Sequence, residues 1–336
     1  MSYFKGLFPT KVPQAPSARG RQRGLSLVEL MISITLGMVA VAGAISIYLA
    51  NRSSYKLVEG AARVQENARF AVEFLGRDLR EAGGIVCGGN LVQENVLEST
   101  EKAKWWGDWS TGLKGYESGT DMPSTDLADL GTAKEDRKNG TDAVIIWSAS
   151  TASSSVLTQA SSGTQFTVSP AQSAVKDTVF TACDDTRVST FALAQATTTT
   201  AVSAAQTPTT AIKQGGFLSE LNASAWYICV GQNTSSPYSL CRESLDAGAD
   251  SNAQEILENV TDLQITYLQG DGNGAPNTGV TNYVNAGDVT NWANVLAVRV
   301  VLTLATPDKV GLSTSGASQA LTQDFPFTVA IRRRLK

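Results

Sequence analysis

The chain has no histidine in 336 residues, and that absence removes Ser-His-Asp and Cys-His nucleophile systems and most zinc hydrolase sites. Its four cysteines, Cys87, Cys183, Cys229 and Cys241, include no C-x-x-C pair, so a zinc site has no ligand set either. Charged residues make up 17% of the chain, below the roughly 25% of an average soluble domain, and the first 24 residues contain no acid at all. The adjacent acids Asp184 and Asp185 are of the type that hydrolyses glycosides, but that chemistry needs two carboxyls held about 5 to 9 Å apart around a bond. In a polar loop they read as solvated. No repeat of fixed period is evident. The expectation is a non-enzyme without a cofactor or metal.

What stands out against these absences is a single long apolar run. Residues 20–24 read GRQRG, and residues 25–50 read LSLVELMISITLGMVAVAGAISIYLA, uncharged except for Glu29. A carboxylate near a bilayer centre costs roughly 2.5 to 3.5 kcal/mol, so it calls for a partner. A cut after Gly24 would supply one, because the new α-amino group of Leu25 is positive and could meet Glu29 of a neighbouring parallel helix. Met31 to Ala50 is 20 uncharged residues, enough at about 1.5 Å per residue to cross a core of about 30 Å. A plain anchor and an ordinary secretory signal, cut near Ala42 or Ala44, are the competing readings.

The flanks set orientation. Lys5, Lys11, Arg19, Arg21 and Arg23 precede the run without an acid, which places them on the cytoplasmic side and everything after Ala50 in the periplasm. Loss of those five charges leaves 22 basic against 31 acidic residues and moves the balance from −4 to −9. Such a domain has no general pull on nucleic acid or anionic lipid.

Basic residues, Gly24, an apolar residue and Glu29 at the fifth place after the cut resemble the class III signal of type IV prepilins and type II secretion pseudopilins. The resemblance implies that an inner-membrane prepilin peptidase cleaves after Gly24 and methylates Leu25, and that Glu29 serves assembly. Leu25 stands where Phe or Met is usual.

Beyond the run, Ala61, Val64, Ala68, Val72, Leu75, Leu79 and Ala82 recur at steps of three and four, with Arg63, Glu66, Arg69, Glu73 and Arg77 largely elsewhere. That spacing predicts an amphipathic helix closed by Gly83-Gly84 and continuous with the span, nearly 60 residues in all. Short β-branched and aromatic runs predict strands at 142–148, 164–169, 177–182, 225–230, 260–268, 295–304 and 325–331. In the later ones Leu263, Ile265 and Tyr267, then Val298, Val300 and Leu302, alternate onto one face. Residues 148–163 and 194–210, rich in Ser, Thr, Ala and Gln, read as loops or ragged edge strands inserted on a smaller scaffold.

The organisation expected is therefore a leader 1–24, a membrane or filament-core helix 25–50, its amphipathic continuation 51–84 and a β-rich periplasmic domain 85–336. The fold class is α+β, a long N-terminal helix packed on an antiparallel sheet. In an oxidising compartment the four cysteines pair, with three connectivities open. The closest two, Cys229 and Cys241, are the expected pair, which leaves Cys87 with Cys183.

The order of these pieces, with REAGG, GTDAVIIW, ENVTDLQITY, WANVLAVRVVLTL and FTVAIRRRL in sequence, resembles the PilW group of type IV pilus minor pilins, relatives of the J pseudopilin of type II secretion. The resemblance implies a low-abundance inner-membrane subunit that joins other minor pilins and the major pilin on an assembly platform and starts a pilus. A J-like pseudopilin or an anchored adhesive protein is the alternative. Three further features invite a second role: Trp105, Trp106 and Trp109 as an exposed partner patch or a core anchor, 271–274 as a broken calcium loop or a plain turn, and Arg332–Arg334 as a nucleic-acid contact or a solvated strand end.

Overall fold

The computed structural model describes residues 26–88, 91–123, 127, 130–131, 136–150, 153–231, 236–246, 249–250, 253–271, 282–307, 311–312 and 318–334. They form two compact units divided after Tyr55. The divide falls inside one 55-residue helix, α1 (Leu27–Glu81).

The first unit is the N-terminal part of α1. Every described residue in it is solvent-exposed, and the segment is long and apolar enough to cross a membrane. Its hydroxyls are satisfied within the helix. Ser33 Oγ donates to the Glu29 carbonyl at 2.7 Å, Thr35 Oγ1 to Ile32 at 2.9 Å and Ser46 Oγ to Ala42 at 2.9 Å, so these three hydroxyls do not obstruct an apolar surrounding.

In the second unit α1 continues as a packed helix. Gly60, Val64, Ala68, Ala71, Leu75, Gly76 and Leu79 are buried. The stripe is turned slightly from the one expected, since Ala61 and Val72 are only half-buried while Gly60, Ala71 and Gly76 lie inside. Small residues on the buried side let neighbours come close to the helix backbone, as where the Thr306 side chain packs over Gly60.

The strands divide into three groups. The first part of the chain holds β1 (Val92–Asn95), a one-turn helix α2 (Ser99–Lys102), β2 (Leu113–Tyr116) and β3 (Ala143–Ala149). The Ser/Thr-rich part holds β4 (Ser155–Leu157), β5 (Gln165–Ser169), β6 (Val179–Cys183), β7 (Arg187–Ala192) and β8 (Ala201–Ser203). The last part holds β9 (Phe217–Val230), β10 (Tyr238–Asp246), β11 (Gln254–Glu258), β12 (Val260–Gln269), β13 (Val295–Ala305) and β14 (Thr322–Ala330).

The hub is β9. Its second half pairs antiparallel with β3 on one side, Leu221 opposite Ala149 through Tyr227 opposite Ala143, and with β10 on the other. Its first half pairs with β6 and β4. β2 extends the sheet beyond β3, and β11 extends it beyond β10. A separate antiparallel sheet runs β12-β13-β14, with Leu263 opposite Leu302, Ile265 opposite Val300 and Tyr267 opposite Val298. Parallel pairing enters where β1 lies beside β7.

Burial explains the unbroken apolar run AVIIW in β3. Val144 and Ile146 point to one core with the α1 stripe, Trp226, Ile228 and the inward residues of β12 and β13. Ala143, Ile145 and Trp147 point to a second core behind the sheet with Trp105, Trp106, Trp109 and Tyr227. A strand covered on both faces has no polar alternation to show.

The Ser/Thr-rich segments 148–163 and 194–210 are largely loop, with the short strand β4 and the edge strand β8. Not expected from the sequence is that they give Leu157 and Val202 to a third core with Phe166, Val168, Phe180, Phe191, Ile212 and Leu218. Each strand contributes one or two apolar residues, and several of the buried polar ones find partners, although Thr190 Oγ1 has none. Gln172 Nε2, for example, donates to the Ser153 carbonyl at 2.9 Å.

Candidate functional site

Residues 1–25, including Gly24 and Leu25, lie outside the described residues. The first described residue, Ser26, caps α1: its Oγ accepts from the Val28 N–H at 3.2 Å, and its carbonyl accepts from Leu30 at 3.1 Å. Glu29 follows in the first helical turn, three residues after the cap. Ser-x-x-Glu is the spacing of a capping box, and a carboxylate there complements the positive end of the helix dipole. Glu29 thus has a local reason to be tolerated as well as a distant one. Among the described residues no side chain pairs with it, and it is exposed.

From Leu27 to Leu49, fourteen large apolar side chains are 50% exposed or more. At roughly 1.5 to 3 kcal/mol for burying each, the segment stands to gain about 20 to 40 kcal/mol from lipid or from other helices. Nothing else on the described surface approaches that driving force.

The other end of α1 is tied down by charge. Asp78, half-buried, accepts from Trp226 Nε1 at 3.0 Å, Ser224 Oγ at 3.2 Å and Arg242 Nε at 3.2 Å. Three donors from β9 and β10 on one carboxylate fix the rotation of the helix against the sheet. Nothing in the local sequence distinguishes Asp78 from the other charges of the helix.

The helix stops at Gly83, whose φ of +66° suits glycine. The Gly83 N–H donates to the Trp147 carbonyl at 2.7 Å. Gly112 stacks against it so closely that a Cβ on Gly112 would lie 2.5 Å from the Gly83 Cα. Arg333 Nη1 donates to the Gly83 carbonyl. Arg334 donates to the carbonyls of Trp292 at 2.6 Å, Val295 at 2.8 Å and Thr111. Neither the nucleic-acid reading nor the solvated strand end applies to these two, and only Arg332 is exposed. Burial, with Arg333 beside it, lowers the Arg334 pKa to about 10.

The remaining candidates resolve into structural roles. Trp105, Trp106 and Trp109 are 2%, 3% and 5% exposed, and Trp147 Nε1 donates to the Trp106 carbonyl at 3.0 Å. They anchor the loop to the second core and leave no aromatic patch outside. Disulfides join Cys87 to Cys183 and Cys229 to Cys241. The first ties the chain just after α1 to β6, and the second closes the β9–β10 hairpin.

Asp184 is buried and accepts from the Thr186 N–H and hydroxyl and from the N–H groups of Arg187 and Lys213. Burial alone would raise its pKa, but these bonds outweigh it and hold the group at about 2. Asp185 pairs with Lys213 at the surface, at 2.7 Å. The two acids therefore brace a turn. Residues 272–274 of the possible calcium loop lie outside the described residues. Among the described residues no three His, Cys, Asp or Glu side chains stand together as a metal site.

Comparison with known proteins agrees with both ends of the chain. The model for "Type IV Pilus-assembly protein W", the PilW family, matches residues 226–333. The model for the prokaryotic N-terminal methylation motif matches residues 19–45. No curated protein matches. Among solved structures, a type IV-like pilin from Thermus thermophilus is 11% identical over 82% of this chain and 98% of its own, with a TM-score of 0.31, too low to bear on this chain. The described part of the methylation motif lies on the exposed apolar helix, and the PilW match begins at the tryptophan that binds Asp78 and ends at the arginine that closes α1. The chain is thus similar to the PilW family over residues 226–333 and to N-terminally methylated prepilins over residues 19–45.

Proposed function

We propose that this protein is a minor pilin that joins other minor pilins in a complex that starts type IV pilus assembly, at the pilus tip. The observation that carries the reading is the fully exposed apolar segment from Leu27 to Leu49 with Glu29 in its first turn. Before assembly that segment resides in the inner membrane, with the domain beyond it in the periplasm. After extraction it must be reburied among the helices of other pilins, because water cannot host so much apolar surface.

In this reading residues 1–24 are a leader removed by the prepilin peptidase. Residues 25–50 become filament core, residues 51–84 carry the helix into the head, and residues 85–336 form the periplasmic domain. Glu29 meets the methylated amino group of Leu25 on an adjacent subunit, a pairing that sets register between helices as polar pairs do in other helical assemblies. The other minor pilins, the major pilin and the inner-membrane assembly platform are the partners.

The deciding experiment is the intact mass of the N-terminal peptide from membrane-purified protein, with and without the prepilin peptidase. A terminus at Leu25 carrying one methyl group, seen only with the peptidase, is expected. A terminus at Met1 or near Ala42 to Ala44 refutes the reading. Co-purification from detergent with neighbouring minor pilins then tests the complex.

A further inference from the structure

The chain segment that follows α1 borders a cleft of about 240 Å³. Gly83, Gly84 and Ile85, the 109–112 loop, the end of β3, and Ala293 to Leu296 surround it, and Arg333 and Arg334 open into it. Trp109, Trp147, Leu221 and Leu296 give it apolar walls, while Gln93, Thr181 and Asn294 give it polar ones. No Asp or Glu is among its lining residues.

Arg334 is held here by neutral groups. Three backbone carbonyls accept three of its five N–H groups, and among the described residues no carboxylate answers its charge. A guanidinium locked in position and partly buried loses little freedom when it binds an acid, and a carboxylate can take two of its donors at once. The surroundings make the site selective. The domain is acidic overall, so an acid is drawn to this place by local geometry and not by the net field.

We propose that this cleft binds a carboxylate joined to an apolar body of about one residue. Its volume is below the roughly 300 to 1,000 Å³ of pockets for drug-sized ligands, which leaves no room for a sugar chain or a stretch of nucleic acid. The C-terminal residue of a partner polypeptide has this chemistry, and so has a small free organic acid. The site is remote in sequence from Glu29 and the apolar segment, and the inference stands whether or not the assembly reading does.

The test is calorimetric titration of the full-length protein in detergent with N-acetylphenylalanine and with its amide. Saturable binding of the acid, with the amide weaker by about ten-fold or more, is expected. Gln93→Glu keeps the shape of an exposed side chain on β1 and places a negative charge in the cleft. It should weaken the acid by about ten-fold while leaving the unfolding midpoint unchanged. Equal binding of acid and amide, no saturation of the acid by about 10 mM, or unaltered affinity in Gln93→Glu each overturns the proposal. A hexapeptide ending in free Phe that binds about ten-fold more tightly than the single residue identifies a polypeptide terminus as the ligand. Equal affinities identify a small acid.

Discussion

Asp78 holds three donors from two strands on one half-buried carboxylate, so its loss leaves the buried Trp226 Nε1 without an acceptor. Asp78→Ala should lower the unfolding free energy by about 2 to 3 kcal/mol, and Asp78→Asn by about half as much. Urea titration of both variants checks this. Asp184 makes a pH-dependent contribution. Its folded pKa of about 2 lies below the roughly 3.9 of an unfolded chain. The stabilisation is therefore complete above that value and is lost as pH falls through about 2. Between those limits the thermal midpoint of the wild type should drop more steeply than that of Asp184→Asn. The cysteines and the Gly83-Gly84 stop were legible as single residues because their chemistry is local. Arg333 and Arg334 were not: the carbonyls they bind lie 39 to 250 positions away, and a run of three cations at a strand end looks solvated until those carbonyls are found.

At the scale of elements, the predicted strands that proved sharpest are those with one covered face. Residues 260–268 and 295–304 alternate cleanly and appear as β12 and β13 within a residue. The strand predicted at 225–230 is only the last part of the 14-residue β9. Its first half, FLSELNAS, mixes polar residues into buried positions and carries no period to read. Two strands of the third core, predicted at 164–169 and 177–182, appear as β5 and β6, while the rest was hidden because buried Thr and Ser stand among few apolar side chains. That lobe is clamped by Cys87–Cys183, which closes a loop with a separation of 96 residues. Replacing both cysteines with serine should cost up to about 5 kcal/mol by loop-closure entropy. The check is the shift in denaturation midpoint against the oxidised wild type.

The whole molecule joins a segment suited to lipid or a filament to a head that needs neither. Gly24→Val should block processing and leave the precursor at its unprocessed size on a gel, with the head folded normally. Glu29→Ala should be inserted and cleaved as before, yet enter the minor pilin complex at about a tenth or less of the wild-type amount, for loss of roughly 1.4 kcal/mol or more of pairing. Immunoblotting of sheared pili from cells with that variant as the sole copy measures it, and normal piliation would contradict the proposed pairing.

Synthesis order adds a demand that the finished fold conceals. Asp78 leaves the ribosome 148 residues before Trp226, and Gly83 leaves 250 residues before Arg333. At roughly 5 to 20 residues per second, the apolar stripe of α1 waits on the order of 10 to 50 seconds for the strands that cover it. During that interval Val64, Leu75 and Leu79 are bare. A holdase that recognises amphipathic helices would have its longest opportunity on this stretch, well before the PilW-matching part of the chain exists.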